Sequence, residues 1–284
     1  VKIFVHLVVY LLDENIIIMK KIGFLLLIVW LVNECVQAQG PPILTDKPIM
    51  MGAGRGMVMT SARYRENDLV KYTYIPIMFH YDMTENTEFS IMPSLVISDA
   101  LRRDVEIGDL QAIFKYQFFR KDRIGKTVRF AAKIDQTFPT GPDTHTADLG
   151  LGTWRTYLGI VGGMESLKLG VQSELGYSFM AAGHMADMLE YKLGFGFPLL
   201  KPSYPVNQLN LYLETEGFTM MPVQHNEHTY RMQSALFYAP GIQYAINKWT
   251  FDLSVQLPLY QDLPDNPLWE RDFSVIAGFR IIII

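Results

Sequence analysis

The groups in this chain that could do chemistry are carboxylates, ammonium and guanidinium groups spaced two residues apart, not a compact catalytic motif. Asp109, Gln111, Lys115 and Gln117 share one parity, and so do Arg129, Lys133 and Asp135. Gln172 and Glu174, then Lys192, Glu214 and Glu216, Arg231 and Gln233, and Asp252 and Gln256 repeat the pattern. A strand turns its side chains over at every residue, so groups at i and i+2 share a face. Buried charge has to be paired or wet. Such faces either build salt-bridge networks that plug an interior or line a polar passage, and the spacing does not choose between the two.

The histidines and serines point away from catalysis. His225-Asn226-Glu227-His228 offers two imidazoles and a carboxylate, a donor set that suits a metal. It lies in an expected loop and lacks the i, i+4 helical spacing of a zinc protease, so a solvated polar loop is the preferred reading. His145 and His184 are read the same way. A hydrolase needs a serine, a histidine and a polar orienter together. Ser173 and Ser234 have no histidine at comparable depth, and His80 has no evident serine beside it. The Gly52-x-Gly54-x-Gly56 run has no Lys-Ser/Thr after it, so it is not a phosphate loop but a place for the chain to bend. The expectation is no catalytic residue, no metal and no cofactor.

The elements that must position these groups are strands. Val128, Phe130, Ala132 and Ile134 fall on one face, and Arg129, Ala131, Lys133, Asp135 and Thr137 on the other. The rhythm predicts about twelve strands: 54–64, 71–81, 87–97, 108–119, 127–138, 150–161, 166–179, 188–198, 208–219, 229–246, 249–260 and 271–284. Ten or fourteen are the outer bounds of that count. Links after even strands are short (82–86, 120–126, 162–165, 247–248), with 199–207 the exception. Links after odd strands are longer (98–107, 139–149, 180–187, 220–228, 261–270). Membrane barrels sort their connections this way, with lipid against the apolar faces and a polar interior. Aromatics near strand ends, among them Tyr72, Tyr74, Phe79, Tyr81, Tyr157, Phe179 and Trp249, read as interfacial girdles.

Composition agrees. The chain has 284 residues, of which 49% are hydrophobic and 13% aromatic, too apolar for disorder and long enough for one barrel. A net charge of -4 gives no basic footprint, so no nucleic-acid partner is expected. Met19, Lys20 and Lys21, the apolar stretch 22–32 and the small-x-small site Val36-Gln37-Ala38 read as an export signal cleaved after Ala38. Residues 1–18 are read as an upstream extension; a second hydrophobic helix over 3–12, ended by Asp13 and Glu14, is the alternative. A lipoprotein signal ending at Cys35 would need a small residue where Glu34 stands. Cleavage after Ala38 removes the only cysteine, which suits an oxidising periplasm.

The middle of the chain resembles a known family. Gly108-Asp109-Leu110 opens a strand, Phe138-Pro139-Thr140-Gly141 forms a loop, Leu149-Gly150-Leu151-Gly152 follows, and Leu175-Gly176-Tyr177 closes the segment. This order is similar to the MetA pathway of phenol degradation family of outer-membrane barrels. The resemblance implies an outer-membrane protein linked to the transport or degradation of aromatic compounds, with Pro139, Thr140 and Gly141 as its motif loop. The run Gly278-Phe279-Arg280 and four isoleucines departs from the terminal aromatic that such barrels carry.

The organisation expected is an extension and signal over 1–38, a periplasmic segment over 39–53 and an antiparallel transmembrane barrel over 54–284. Pro41, Pro42 and Pro48 stiffen the segment, and insertion into the lumen is its alternative placement. The function expected is an outer-membrane channel or passive transporter for small, apolar or aromatic solutes. Its partners would be outer-membrane lipid and the barrel-assembly machinery. The alternative is a structural or loop-presenting barrel, with a barrel hydrolase behind it. Asp109, Gln111, Lys115, Arg129, Lys133, Asp135, Gln172, Glu174, Lys192, Glu214, Glu216, Arg231 and Asp252 are the lumen-lining candidates.

Overall fold

A computed structural model of the chain describes residues 42–98, 104–146, 148–182, 185–200, 205–225 and 228–283. The export segment, His184 and the Asn226-Glu227 pair lie outside the described residues. Twelve antiparallel strands close into one barrel. They are β1 (Gly56–Glu66), β2 (Lys71–Asp82), β3 (Thr87–Met92 and Ser94–Ser98, interrupted at Pro93), β4 (Val105–Ile107 and Leu110–Arg123), β5 (Lys126–Phe138) and β6 (Arg155–Ser166). The wall continues with β7 (Gly170–Met180), β8 (Met188–Pro198), β9 (Asn207–Met220), β10 (Gln233–Ile246), β11 (Trp249–Asp262) and β12 (Phe273–Ile282). Each strand pairs with its neighbours in sequence, and β1 pairs with both β2 and β12, which closes the ring without a free edge.

Period-two alternation sets which side faces in. On β5, Ala131, Asp135 and Thr137 are buried while Phe130, Ala132 and Ile134 are exposed. Phe114, Ile160, Leu175, Phe251 and Leu253 continue an exposed apolar belt round the wall. A wall with its apolar residues outside and its polar ones inside is the reverse of a soluble barrel. Phe279 lies on that outer face against Trp249 and Phe251, at ring-centroid distances of 5.2 and 5.5 Å.

The connections sort by end. Residues 124–125 and 247–248 are two-residue turns, with Gly125 and Asn247 in the left-handed region such hairpins require (φ 68° and 53°). At the opposite end, 139–146, 148–154 and 263–272 fold inward. Leu151, Phe218, Phe237, Leu263 and Trp269 form one buried cluster there, and Tyr72, Tyr74, Val96 and Leu149 another.

Three expectations need correction. The sixth strand begins at Arg155, not near residue 150, because Gly150 and Gly152 have positive φ (139° and 68°) and break the extended chain. Tyr72, Tyr74 and Tyr157 belong to no girdle; they are buried on the inner face. The tenth strand begins at Gln233, so Arg231 lies outside the wall.

Candidate functional site

The lumen is not empty of chain. Residues 42–53, the described part of the N-terminal segment, run inside the barrel. Glu214 of β9 holds them by their backbone: its carboxylate accepts the N–H groups of Ile43 (3.1 Å), Leu44 (3.1 Å) and Thr45 (2.7 Å). Three consecutive donors converging on one buried anion form a charge-assisted clamp. Arg280 of β12 bonds the Pro42 carbonyl and pairs with Asp252 at 2.8 Å. Lys47 reaches Glu165 at 2.6 Å. The described part of the segment is thus bonded to inward-facing groups of the wall.

Asp46 ties the segment to the opposite wall. Its carboxylate lies 2.7 Å from Lys115 Nζ and 3.1 Å from Lys133 Nζ. Burial alone would push this carboxyl up, but the two ammonium groups outweigh it and hold it well below the usual carboxylate range. From there charges alternate across the lumen. Lys133 pairs with Glu174 (2.9 Å), which also accepts the Tyr157 hydroxyl (2.8 Å). Lys115 pairs with Glu88 (2.9 Å), and His80 sits between Glu88 (3.1 Å) and Asp82 (2.9 Å). Asp82 in turn accepts the Gly52 N–H at 2.9 Å, just before the bend into β1.

Beside this chain of charges lies a cavity of about 530 Å³, lined by Gln111, Asp135, Lys192 and Glu216 among the expected residues, together with Lys115, Lys133 and Glu174. Glu216 accepts a 2.7 Å hydrogen bond from Gln256 and lies 3.8 Å from Lys192 and 3.7 Å from Arg271. Gln172 faces inward next to Glu165, and Arg129 bonds Gln117 and Thr127 nearer the short-turn rim.

Two expected lumen residues do other work. Asp109 is buried in the break of β4, where its two oxygens accept the N–H groups of Gly141 (2.9 Å) and Leu151 (2.8 Å). Thr140 adds to the same joint, accepting Leu110 N–H at 2.9 Å and donating to the Gly108 carbonyl at 3.2 Å. The Gly-Asp, Pro139-Thr140-Gly141 and Gly-x-Gly pieces thus meet at one place and fold the loop 139–154 inward. Arg231 is a correction: it lies in a loop, is 63% exposed in its side chain and pairs with Asp262 at the surface. The expected tenth strand, 229–246, begins four residues before the observed one, because Arg231 and Gln233 share parity.

One further correction concerns His80. Ser90 does lie beside it, directly across β2 and β3, with Oγ 3.4 Å from Nδ1. A serine, a histidine and Asp82 in a row have the composition of a hydrolase triad. Ser90 is fully buried, however, and Glu88 is the nearer partner of the same nitrogen. His80 thereby links Asp82 and Glu88 in the charge chain.

Sequence reasoning missed Asp46, Arg63, Arg65, Tyr157, Arg155, Arg271 and Arg280. Arg63 and Arg65 share the parity of Met57 and Met59 on β1, a signal blurred by the glycines before it. Asp46 lies outside the strands, where parity says nothing, and Arg271 opens the expected twelfth strand but lies two residues before the observed one.

No protein-family model and no curated protein matches this sequence. The fold is similar to solved structures. An outer membrane channel from Pseudomonas putida F1 aligns with a TM-score of 0.62 at 13% identity, covering 85% of this chain and 100% of that one. The NanC porin aligns with a TM-score of 0.51 at 12% identity, covering 79% of this chain and 98% of that one. Closed ring, lipid-type outer face, sorted connections and these likenesses define the class: a twelve-stranded β-barrel of the bacterial outer-membrane type.

Proposed function

We propose that this barrel spans the outer membrane and conveys small molecules passively through a lumen narrowed by its own N-terminal segment. The observation that carries this reading is the cavity of about 530 Å³ inside a closed wall, polar on one side and rich in methionine on the other. The short turns face the periplasm, where the export signal over 19–38, cleaved after Ala38, delivers the chain to the barrel-assembly machinery. Apolar or aromatic solutes fit the methionine side, as the resemblance to the MetA-pathway family implies, and the similar structure from Pseudomonas putida F1 is itself described as an outer membrane channel. No catalytic role is assigned to Ser90, Ser173 or Ser234. The test is solute-induced swelling of liposomes holding the refolded chain, checked against planar-bilayer current. Swelling with small solutes and discrete current steps support the channel; behaviour indistinguishable from empty membranes rejects it.

A second reading has its own support. The alternating charges from Asp82 through His80, Glu88, Lys115, Asp46 and Lys133 to Glu174 bridge the lumen with paired groups. A structural barrel sealed by that chain would give neither swelling nor current while still folding in membranes.

A further inference from the structure

The two sides of the lumen differ in chemistry. Met57 and Met59 of β1, Met78 of β2 and Met92 of β3 line the cavity, and Met59 and Met78 are direct cross-strand neighbours. Met50 and Met51 of the N-terminal segment extend the same surface. Thioether side chains are flexible and polarisable, so such a wall adapts to apolar and aromatic bodies of varied outline. Five other cations that line the cavity are matched: Lys115, Lys133, Lys192, Arg155 and Arg271 each face a carboxylate.

Arg63 is not matched. It projects from β1 onto the same cavity, its Nε donating to Ser61 Oγ at 3.1 Å and its guanidinium 6.0 Å from the Tyr74 ring centroid. Among the described residues no carboxylate pairs with it, whereas Arg65, two positions on, is paired with Asp148. A crevice of about 40 Å³ beside the main cavity is lined by Arg63 together with Met59, Met78 and Met92, and by Asp252, whose carboxylate is taken by Arg280 at 2.8 Å. A guanidinium offers a planar fork that matches a carboxylate. The main cavity lies within the roughly 300–1,000 Å³ of small-molecule sites.

We infer that the lumen selects small amphipathic monocarboxylates, with the carboxylate on Arg63 and the apolar body on the methionine wall. A neutral solute leaves the guanidinium without a counter-charge, and a small hydrophilic acid leaves the methionines uncovered. Transport of such an acid rests on the channel reading above; binding does not.

Benzoate is the probe, titrated calorimetrically into the full chain in detergent, with empty micelles subtracted and folding verified by the SDS heat shift. Benzoate is expected to bind about tenfold or more tightly than benzyl alcohol or acetate. Arg63→Gln is expected to reduce benzoate affinity about tenfold, while Arg63→Lys, which keeps the charge, retains most of it. Met59→Gln is expected to weaken benzoate and leave acetate unchanged. Equal affinity for benzoate and benzyl alcohol, or a folded Arg63→Gln that binds benzoate as tightly as the parent, overturns the inference. Reversal potentials in benzoate–chloride gradients separate the two levels of the argument. Benzoate binding without current rejects the channel and keeps the site; current without benzoate preference keeps the channel and rejects the site.

Discussion

Glu214→Gln is the substitution that most directly loosens the N-terminal segment. The carboxylate accepts from Ile43, Leu44 and Thr45, and all three donors point at one anion. An amide keeps a single acceptor oxygen. If that oxygen takes the position facing Thr45, the NH2 group turns toward the Ile43 N–H, and donor meets donor. One hydrogen bond is lost and the others fall from charge-assisted to neutral strength, for a total of about 2–4 kcal/mol of local docking energy. A local opening equilibrium should therefore shift by a factor of roughly 30 to several hundred. The assay is thiol labelling of Thr45→Cys in a Cys35→Ser background. Thr45 is buried against the wall, so labelling reports escape of the segment. Labelling in Glu214→Gln should accelerate by that factor, with the SDS heat shift unchanged. Equal rates with and without the substitution would show that Glu214 does not hold the segment, and the docking argument would fail.

Three other outcomes are expected. Asp46 has its pKa depressed, so its contribution to docking is fully present above the ordinary carboxylate value of 3.8 and is lost only as pH falls through the lower folded value. In a Glu214→Gln background, which takes the other carboxylate anchor out of the titration, the single-channel step should then be the same at pH 7 and pH 5, and a larger step on mild acidification would contradict the pairing assigned to Asp46. Gly150→Ala places a Cβ against the Pro142 carbonyl at a φ of 139°, which should cost about 1–3 kcal/mol locally and speed protease cleavage within 139–154. Leu253 is 51% exposed on the outer wall, and Leu253→Arg should destabilise folding into lipid vesicles by about 2–4 kcal/mol if that face meets the membrane interior. A neutral effect on vesicle folding would say that the face is not buried in lipid.

Much of this architecture was legible because its governing rule is local. Alternation placed β2, β3, β5, β8 and β11 within a residue or two of their observed bounds, since lipid outside and charge inside leave each position few choices. The rule failed where the chain leaves the wall. Leu149-Gly150-Leu151-Gly152 alternates like a strand, yet its leucines turn inward and its glycines take conformations no strand uses. Arg231 has the parity of β10 but lies beyond its end. Lys115, Lys133 and Glu174 were readable as lumenal, but their shared partner Asp46 was not, because a segment threaded through a barrel carries no periodic mark of its destination. The Ser90–His80 neighbourhood was equally hidden, since cross-strand register depends on a turn whose length is known only once both strands are fixed.

The most direct test of the account is planar-bilayer recording from the preparation that shows the SDS heat shift, comparing the parent with the Asp46→Asn, Glu214→Gln double variant. Discrete steps are expected in the parent and larger steps in the variant, because its N-terminal segment no longer narrows the lumen. A heat-modifiable barrel that carries no current in either form would contradict it.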